Sequence, residues 1–89
     1  MKFEYDTNKS SQNKEKHGID FVEAQAIWHD VDFTETAARS ETEPRFIVVG
    51  KIQGKHWSAF ITYREHYIRI ISVRRSRRKE IDIYESRRT

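Results

Sequence analysis

Residues 68–80 read Ile-Arg-Ile-Ile-Ser-Val-Arg-Arg-Ser-Arg-Arg-Lys-Glu, so an apolar, β-branched run passes directly into five basic residues. Arginine is the side chain best suited to gripping a phosphate, because its planar fork matches two oxygens and stays charged at every relevant pH. The candidates are Arg45, Arg64, Arg69, Arg74, Arg75, Arg77 and Arg78. They are too many for one site. Two to four are expected to act, while the rest pair with Glu80, Asp82 and Glu85 or face water. Cutting RNA without a metal calls for a base to take the ribose 2′-OH proton, an acid for the departing 5′ oxygen, and cations for the charge that builds on phosphorus. His17, preceded by Lys16, falls at the end of an expected helix, where the negative end of the dipole favours a cation. It could serve as an acid or a phosphate contact, or simply cap the helix. His29 can close a second helix in the same way, whereas His56 and His66 read as surface residues.

Other chemistries find less support. The four histidines are scattered, no two are spaced as ligands on one helix, and cysteine is absent, so no metal site and no cofactor is expected. Asp30 and Asp32 could share a strand face but lie in an ordinary acidic stretch. Three isolated glycines build neither a phosphate loop nor a nucleophile elbow. Trp57, Tyr63, Tyr67 and Tyr84 can stack on bases or pack a sheet, and Tyr84 with Ile81 can anchor a final helix.

The elements that must position these groups follow from periodicity. Phe3 and Tyr5 alternate with charged residues, which predicts a short edge strand. Asp6 or Thr7 can cap a polar helix over 8–16 that has almost no apolar face, and Gly18 suits its left-handed close. Asp20 and Glu23 resemble a capping box for a second helix over 21–28, with Phe21, Ala24, Ile27 and Trp28 on one face and Ile19 as a hydrophobic staple. A brief strand over 31–34 precedes a polar loop over 35–44. Strands over 45–52, 56–64 and 67–73, joined by short turns, form an antiparallel meander. Ser76 offers an N-cap for the last helix. In the last strand, simple alternation puts Ile68, Ile70, Ser72 and Arg74 on one face and Arg69, Ile71, Val73 and Arg75 on the other. The fold class is α+β: a mainly antiparallel sheet with an N-terminal helical pair and a C-terminal helix.

With 89 residues the chain fits a single domain over 1–89 and should bury roughly 65% of its extended-chain surface. Residues 1–63 carry 8 Lys or Arg against 10 Asp or Glu, while residues 64–89 carry 9 against 4, so the positive charge is concentrated in the last third. Such a split suits a polyanion, although a basic helix is also a common solvated face. No signal peptide or membrane span is apparent, and the lack of cysteine is compatible with a cytoplasmic location.

The order of motifs resembles the BrnT family of toxins from bacterial type II toxin-antitoxin pairs. The matching pieces are Phe3-Glu4-Tyr5-Asp6, Lys16-His17-Gly18-Ile19-Asp20-Phe21 with Glu23-Ala24, Arg45 before Phe46-Ile47-Val48-Val49-Gly50, Thr62-Tyr63-Arg64, and Ile68-Arg69-Ile70-Ile71-Ser72-Val73-Arg74-Arg75, continued by Glu80 and Tyr84. Val73, where the family commonly has alanine, and Pro44, ahead of Arg45, depart from the pattern. The resemblance implies a small RelE-like ribonuclease that arrests translation. It also implies a BrnA-like antitoxin partner with a ribbon-helix-helix part, through which alone DNA would be reached. Carried over by position, the functional candidates are Lys16, His17, Arg45, Arg64, Ser72, Arg74 and Arg75.

Two readings follow. The first is a metal-independent endoribonuclease toxin in which Lys16, His17, Arg64 and Arg74 act on the scissile phosphate while Arg45, Ser72, Arg75 and Arg78 hold the RNA. The second is a basic nucleic-acid-binding module without catalysis. A third possibility, a basic face that binds an acidic protein, is compatible with the first.

Overall fold

The structure, a computed structural model, describes residues 2–87, so positions 1, 88 and 89 of the expected domain lie outside the described residues. Its elements run β1 (Lys2–Glu4), α1 (Thr7–His17), a 3-10 segment (Glu23–His29), β2 (Thr34–Ala38), β3 (Arg45–Ile52), β4 (Lys55–Arg64), β5 (Tyr67–Arg75) and α2 (Arg78–Ser86). They build one five-stranded sheet in the order β1-β5-β4-β3-β2. Only β1 pairs in parallel, at the edge expected of so short a strand. The meander forms as its turn residues dictate. Gln53 and Gly54 take φ of 50° and 79°, the pair of positive values that a two-residue hairpin matching the twist of its strands requires.

One face of the sheet holds the core. Val48, Ala59 and Val73 lie side by side on β3, β4 and β5, Ile61 and Ile70 lie side by side on β4 and β5, and all are buried beneath Phe21, Ala24 and Ile27. Full burial of each larger side chain is worth about 1.5–3 kcal/mol, so this layer supplies most of what holds the sheet and the segments above it together.

An α-helix was expected over 21–28; the chain forms a 3-10 run instead. The reason lies in spacing. Phe21, Ala24 and Ile27 recur every three residues, and a helix of three residues per turn eclipses them onto the sheet. The predicted capping box is present, with Glu23 N–H donating to Asp20 Oδ1 at 2.7 Å and Asp20 N–H to Glu23 Oε1 at 2.9 Å. Gly50 on β3 makes room for this run: a Cβ there would lie 2.8 Å from the Ile27 carbonyl oxygen and 3.0 Å from its side chain.

α1 has the predicted polar character, an Asp6 cap that accepts from Asn8 and Lys9 N–H, and a left-handed Gly18 after it. Hydrogen bonds take the place of an apolar face. Ser10 Oγ accepts from Phe21 N–H at 2.9 Å. Asn13 lies against the outer rim of β5, where its amide donates to Val73 O at 2.9 Å and accepts from Val73 N–H at 3.1 Å, while also donating to Ile19 O at 2.8 Å. Since β1 pairs only with residues 67–69 of β5, this side chain bonds the rim as a further strand would.

Three other expectations are corrected. The polar stretch after Phe33 is not all loop, because Thr34–Ala38 pairs antiparallel with β3 as an edge strand, its buried Thr34 and half-buried Thr36 and Ala38 alternating with exposed Glu35 and Ala37. Regular alternation along β5 fails at a bulge: Ile61 pairs with Ile70 but Phe60 pairs with Ser72, so Ile71 is the extra residue. Ile68, Ile70, Val73 and Arg75 therefore face the core side, and Arg69, Ser72 and Arg74 the opposite side. Finally, the cap residue of α2 is Arg77; Ser76 instead meets the Ser58 hydroxyl at 2.8 Å.

Candidate functional site

Lys16 and His17 end α1, directly over the bulge in β5. With Lys9, Gln12, Asn13, Ile71 and Ser72 they line a cleft of about 260 Å³. Three elements of its construction are visible in the fold. Asn13 fixes α1 to Val73, the left-handed Gly18 closes the helix just after His17, and the extra residue at Ile71 shifts Ser72 onto the face away from the core. The cleft brings together two groups that can carry protons and a hydroxyl, at the helix end whose dipole favours anionic ligands least and cations most.

Arg74 lies two residues beyond Ser72 on the same face. Its guanidinium forms a two-pronged pair with Glu80, at 2.9 Å and 2.8 Å, donates to Arg75 O at 3.1 Å, and stacks 4.9 Å from the Phe60 ring centroid. Only 19% of the Arg74 side chain and 14% of the Glu80 side chain is exposed. Burial pushes the Glu80 carboxyl up, but hydrogen bonds from Arg74, Arg77 N–H and the Ser58 hydroxyl outweigh it and hold the group down at about 2. Glu80 thus remains ionised and keeps Arg74 in one place.

The other predicted residues lie elsewhere. Arg75 faces the core side of the sheet, 5.5 Å from the Trp57 ring centroid, with its Nε donating to His56 O. Arg78 opens α2, largely exposed and 3.3 Å from Asp82. Arg45 and Arg64 share the open face with Ser72 and Arg74 but sit toward its other end, Arg64 within 3.7 Å of Glu43. Arg45 Nε is shut off from solvent and has no acceptor among the described residues. The structure therefore collects Lys16, His17 and Ser72 in one cleft, keeps Arg74 on the adjoining face, and leaves Arg75 and Arg78 outside it. His56, read as a surface residue, is instead half-buried and meets Glu85 at 2.7 Å.

Sequence reasoning passed over Asn13, which positions the cleft, and counted Arg69 among the candidate phosphate-binding arginines without assigning it a role, although it joins Arg45 and Arg64 on the open face. A polar residue of low helix propensity in the middle of a helix was the one available sign for Asn13. Among the described residues, no three His, Asp or Glu side chains gather as metal ligands would, and no helix is long and apolar enough to cross a membrane.

A family model described as the ribonuclease toxin BrnT of type II toxin-antitoxin systems matches residues 5–80. No curated protein matches the chain. The match takes in α1, the 3-10 segment, the whole sheet from β2 to β5 and the start of α2, including every residue of the cleft, and on that extent the chain belongs to the BrnT family of ribonuclease toxins.

Proposed function

We propose that this protein is a single-domain, RelE-like endoribonuclease that cuts RNA without a metal ion, stops translation in the cytoplasm, and is neutralised by a BrnA-like ribbon-helix-helix antitoxin. The observation that carries the reading is the cleft in which Lys16 and His17 meet Ser72. In the reaction the ribose 2′-OH gives up its proton to solvent water as its oxygen attacks phosphorus, the P–O2′ bond forms and the P–O5′ bond breaks, leaving a 2′,3′-cyclic phosphate and a free 5′-hydroxyl. His17 gives a proton to the departing 5′ oxygen, and the cation of Lys16 offsets the charge on the pentacovalent phosphorus. Ser72 donates to a phosphate oxygen. Arg74 adds a fixed positive charge beside the cleft, held rigid by Glu80. Arg75 and Arg78 contribute to the attraction of RNA at longer range.

The test uses end-labelled RNA with a chelator present. Wild-type protein should yield fragments ending in cyclic phosphate, and His17→Ala should lower the rate by about 100-fold or more, the usual contribution of a general acid, while remaining folded. Undiminished cleavage by that variant would refute the assignment of His17. Salt-sensitive binding of intact RNA by the wild type, with no fragments under any condition, would favour the non-catalytic module instead.

A further inference from the structure

We infer that the open face of the sheet carries a second phosphate-binding point, formed by Arg45, Arg64 and Arg69 around Thr62, which holds the RNA strand at a nucleotide away from the bond that is cut. The inference rests on the reading of the protein as an enzyme that acts on RNA. Its basis is register. Thr62 pairs with Arg69 on one side, and because Phe46 pairs with Ile61, Arg45 flanks Thr62 on the other. Their Cα atoms are thus about 10 Å apart across three strands, with Arg64 two residues further along β4 on the same face. Thr62 is itself fixed, 2% exposed and donating to Pro44 O at 2.7 Å.

The hydrogen-bonding state of these arginines points to an anion. Arg45 Nε is buried with no acceptor among the described residues, a condition that buried donors rarely tolerate without a ligand or a partner. Among the described residues, Arg64 and Arg69 have only long ion pairs, 3.7 Å to Glu43 and 3.8 Å to Glu4, from carboxylates at the margins of the sheet. Such pairs are weak and exchangeable. The contrast with Arg74, bound at 2.8 Å and 2.9 Å by one carboxylate, separates a structural arginine from arginines still able to take a ligand.

The floor between the two charged regions argues for a nucleic-acid strand as the occupant. From the Thr62–Arg69 rung it is about 7 Å along β4 to the Phe60–Ser72 rung, which carries the cleft hydroxyl, and about 13 Å to the Ser58–Arg74 rung; the half-buried Ile47 and Phe60 lie on the middle rung. A single strand that anchors one phosphate at the Arg45 end and presents another at the Ser72 cleft would lay its bases over that apolar floor, the combination of cations and hydrophobic platform used by single-strand binders.

The test measures binding of a labelled 12-nucleotide RNA carrying 2′-O-methyl groups, which blocks cleavage, by fluorescence anisotropy over a range of salt. Arg69→Gln should weaken binding about 5- to 10-fold, the cost of a lost charged hydrogen bond, and should reduce the salt slope by about 0.7. Glu4→Gln, which removes the competing carboxylate, should tighten binding about two- to threefold; this gain cannot come from misfolding. If wild type binds and cuts RNA while both variants match it in affinity and slope, the second phosphate point is refuted and the enzyme reading stands. If wild type neither binds nor cuts any RNA, both fall. If the variants leave RNA binding unchanged but weaken association with the purified antitoxin, the face belongs to the protein partner and the inference is overturned.

Discussion

Replacing Asn13 by alanine sets two physical effects against each other. On helix propensity alone the change is favourable, since alanine exceeds asparagine by up to about 0.7 kcal/mol in a helix interior. The contacts predict the opposite. Asn13 is 7% exposed and makes three hydrogen bonds to backbone groups of Val73 and Ile19. Its loss leaves the buried Val73 N–H without an acceptor, at about 1–3 kcal/mol, and strips one donor from each of two carbonyls. A net destabilisation of about 2–3 kcal/mol is expected after the propensity gain. That is a large part of the stability of a typical small domain, and it should lower Tm by about 10–20 °C. Urea unfolding followed by circular dichroism would read it as a lower midpoint at constant slope. A variant as stable as wild type, or more so, would refute the reasoning, because propensity would then have outweighed the bonds to β5. The same variant should also lose ribonuclease activity, since Lys16 and His17 are carried on the helix that Asn13 fixes.

Two further predictions concern the sheet. Gly50→Ala should cost about 1–3 kcal/mol by forcing a methyl group into the Ile27 backbone, visible as a lower Tm with little change in secondary structure. Glu80→Gln should cost about 1.5–3 kcal/mol at neutral pH by breaking the charged bonds to Arg74 and Arg77 N–H. Because the folded-state carboxyl lies at about 2, below its ordinary 4.5, the stability it contributes is fully present above 4.5 and is lost as pH falls from there toward 2. The variant should accordingly show a flatter acid limb in a series of denaturation midpoints, and an unchanged acid limb would count against the pair.

The strands from β3 to β5 were legible because turn residues and apolar alternation agree along them, and the polar α1 was legible because its caps are local. β2 was hidden by its composition: an edge strand of Thr, Glu and Ala needs no apolar alternation when β3 supplies its hydrogen bonds. The 3-10 run differs from an α-helix by a fraction of a residue per turn, and adding Trp28 to Phe21, Ala24 and Ile27 gives an α-helical stripe, although the three fully buried members recur every three residues. Adjacent Ile70 and Ile71 were the trace of the bulge, but two neighbouring isoleucines suit a strand buried on both faces equally well. The site was legible only in part. Basic residues and His17 stood out by type, whereas the meeting of α1 with Ser72 depends on contacts some 60 residues apart in sequence, between Asn13 and Val73.

The bond between Asn13 and the rim of β5 also bears on how this protein fails. Past Glu4 no strand among the described residues covers that rim, so lifting α1 would bare unpaired amide and carbonyl groups next to Ile70 and Ile71. Such a ledge recruits extended chain from other molecules. Variants that loosen the helix should therefore assemble into β-rich aggregates before they unfold globally, and Asn13→Ala is the variant in which to look for them by thioflavin fluorescence below the unfolding midpoint.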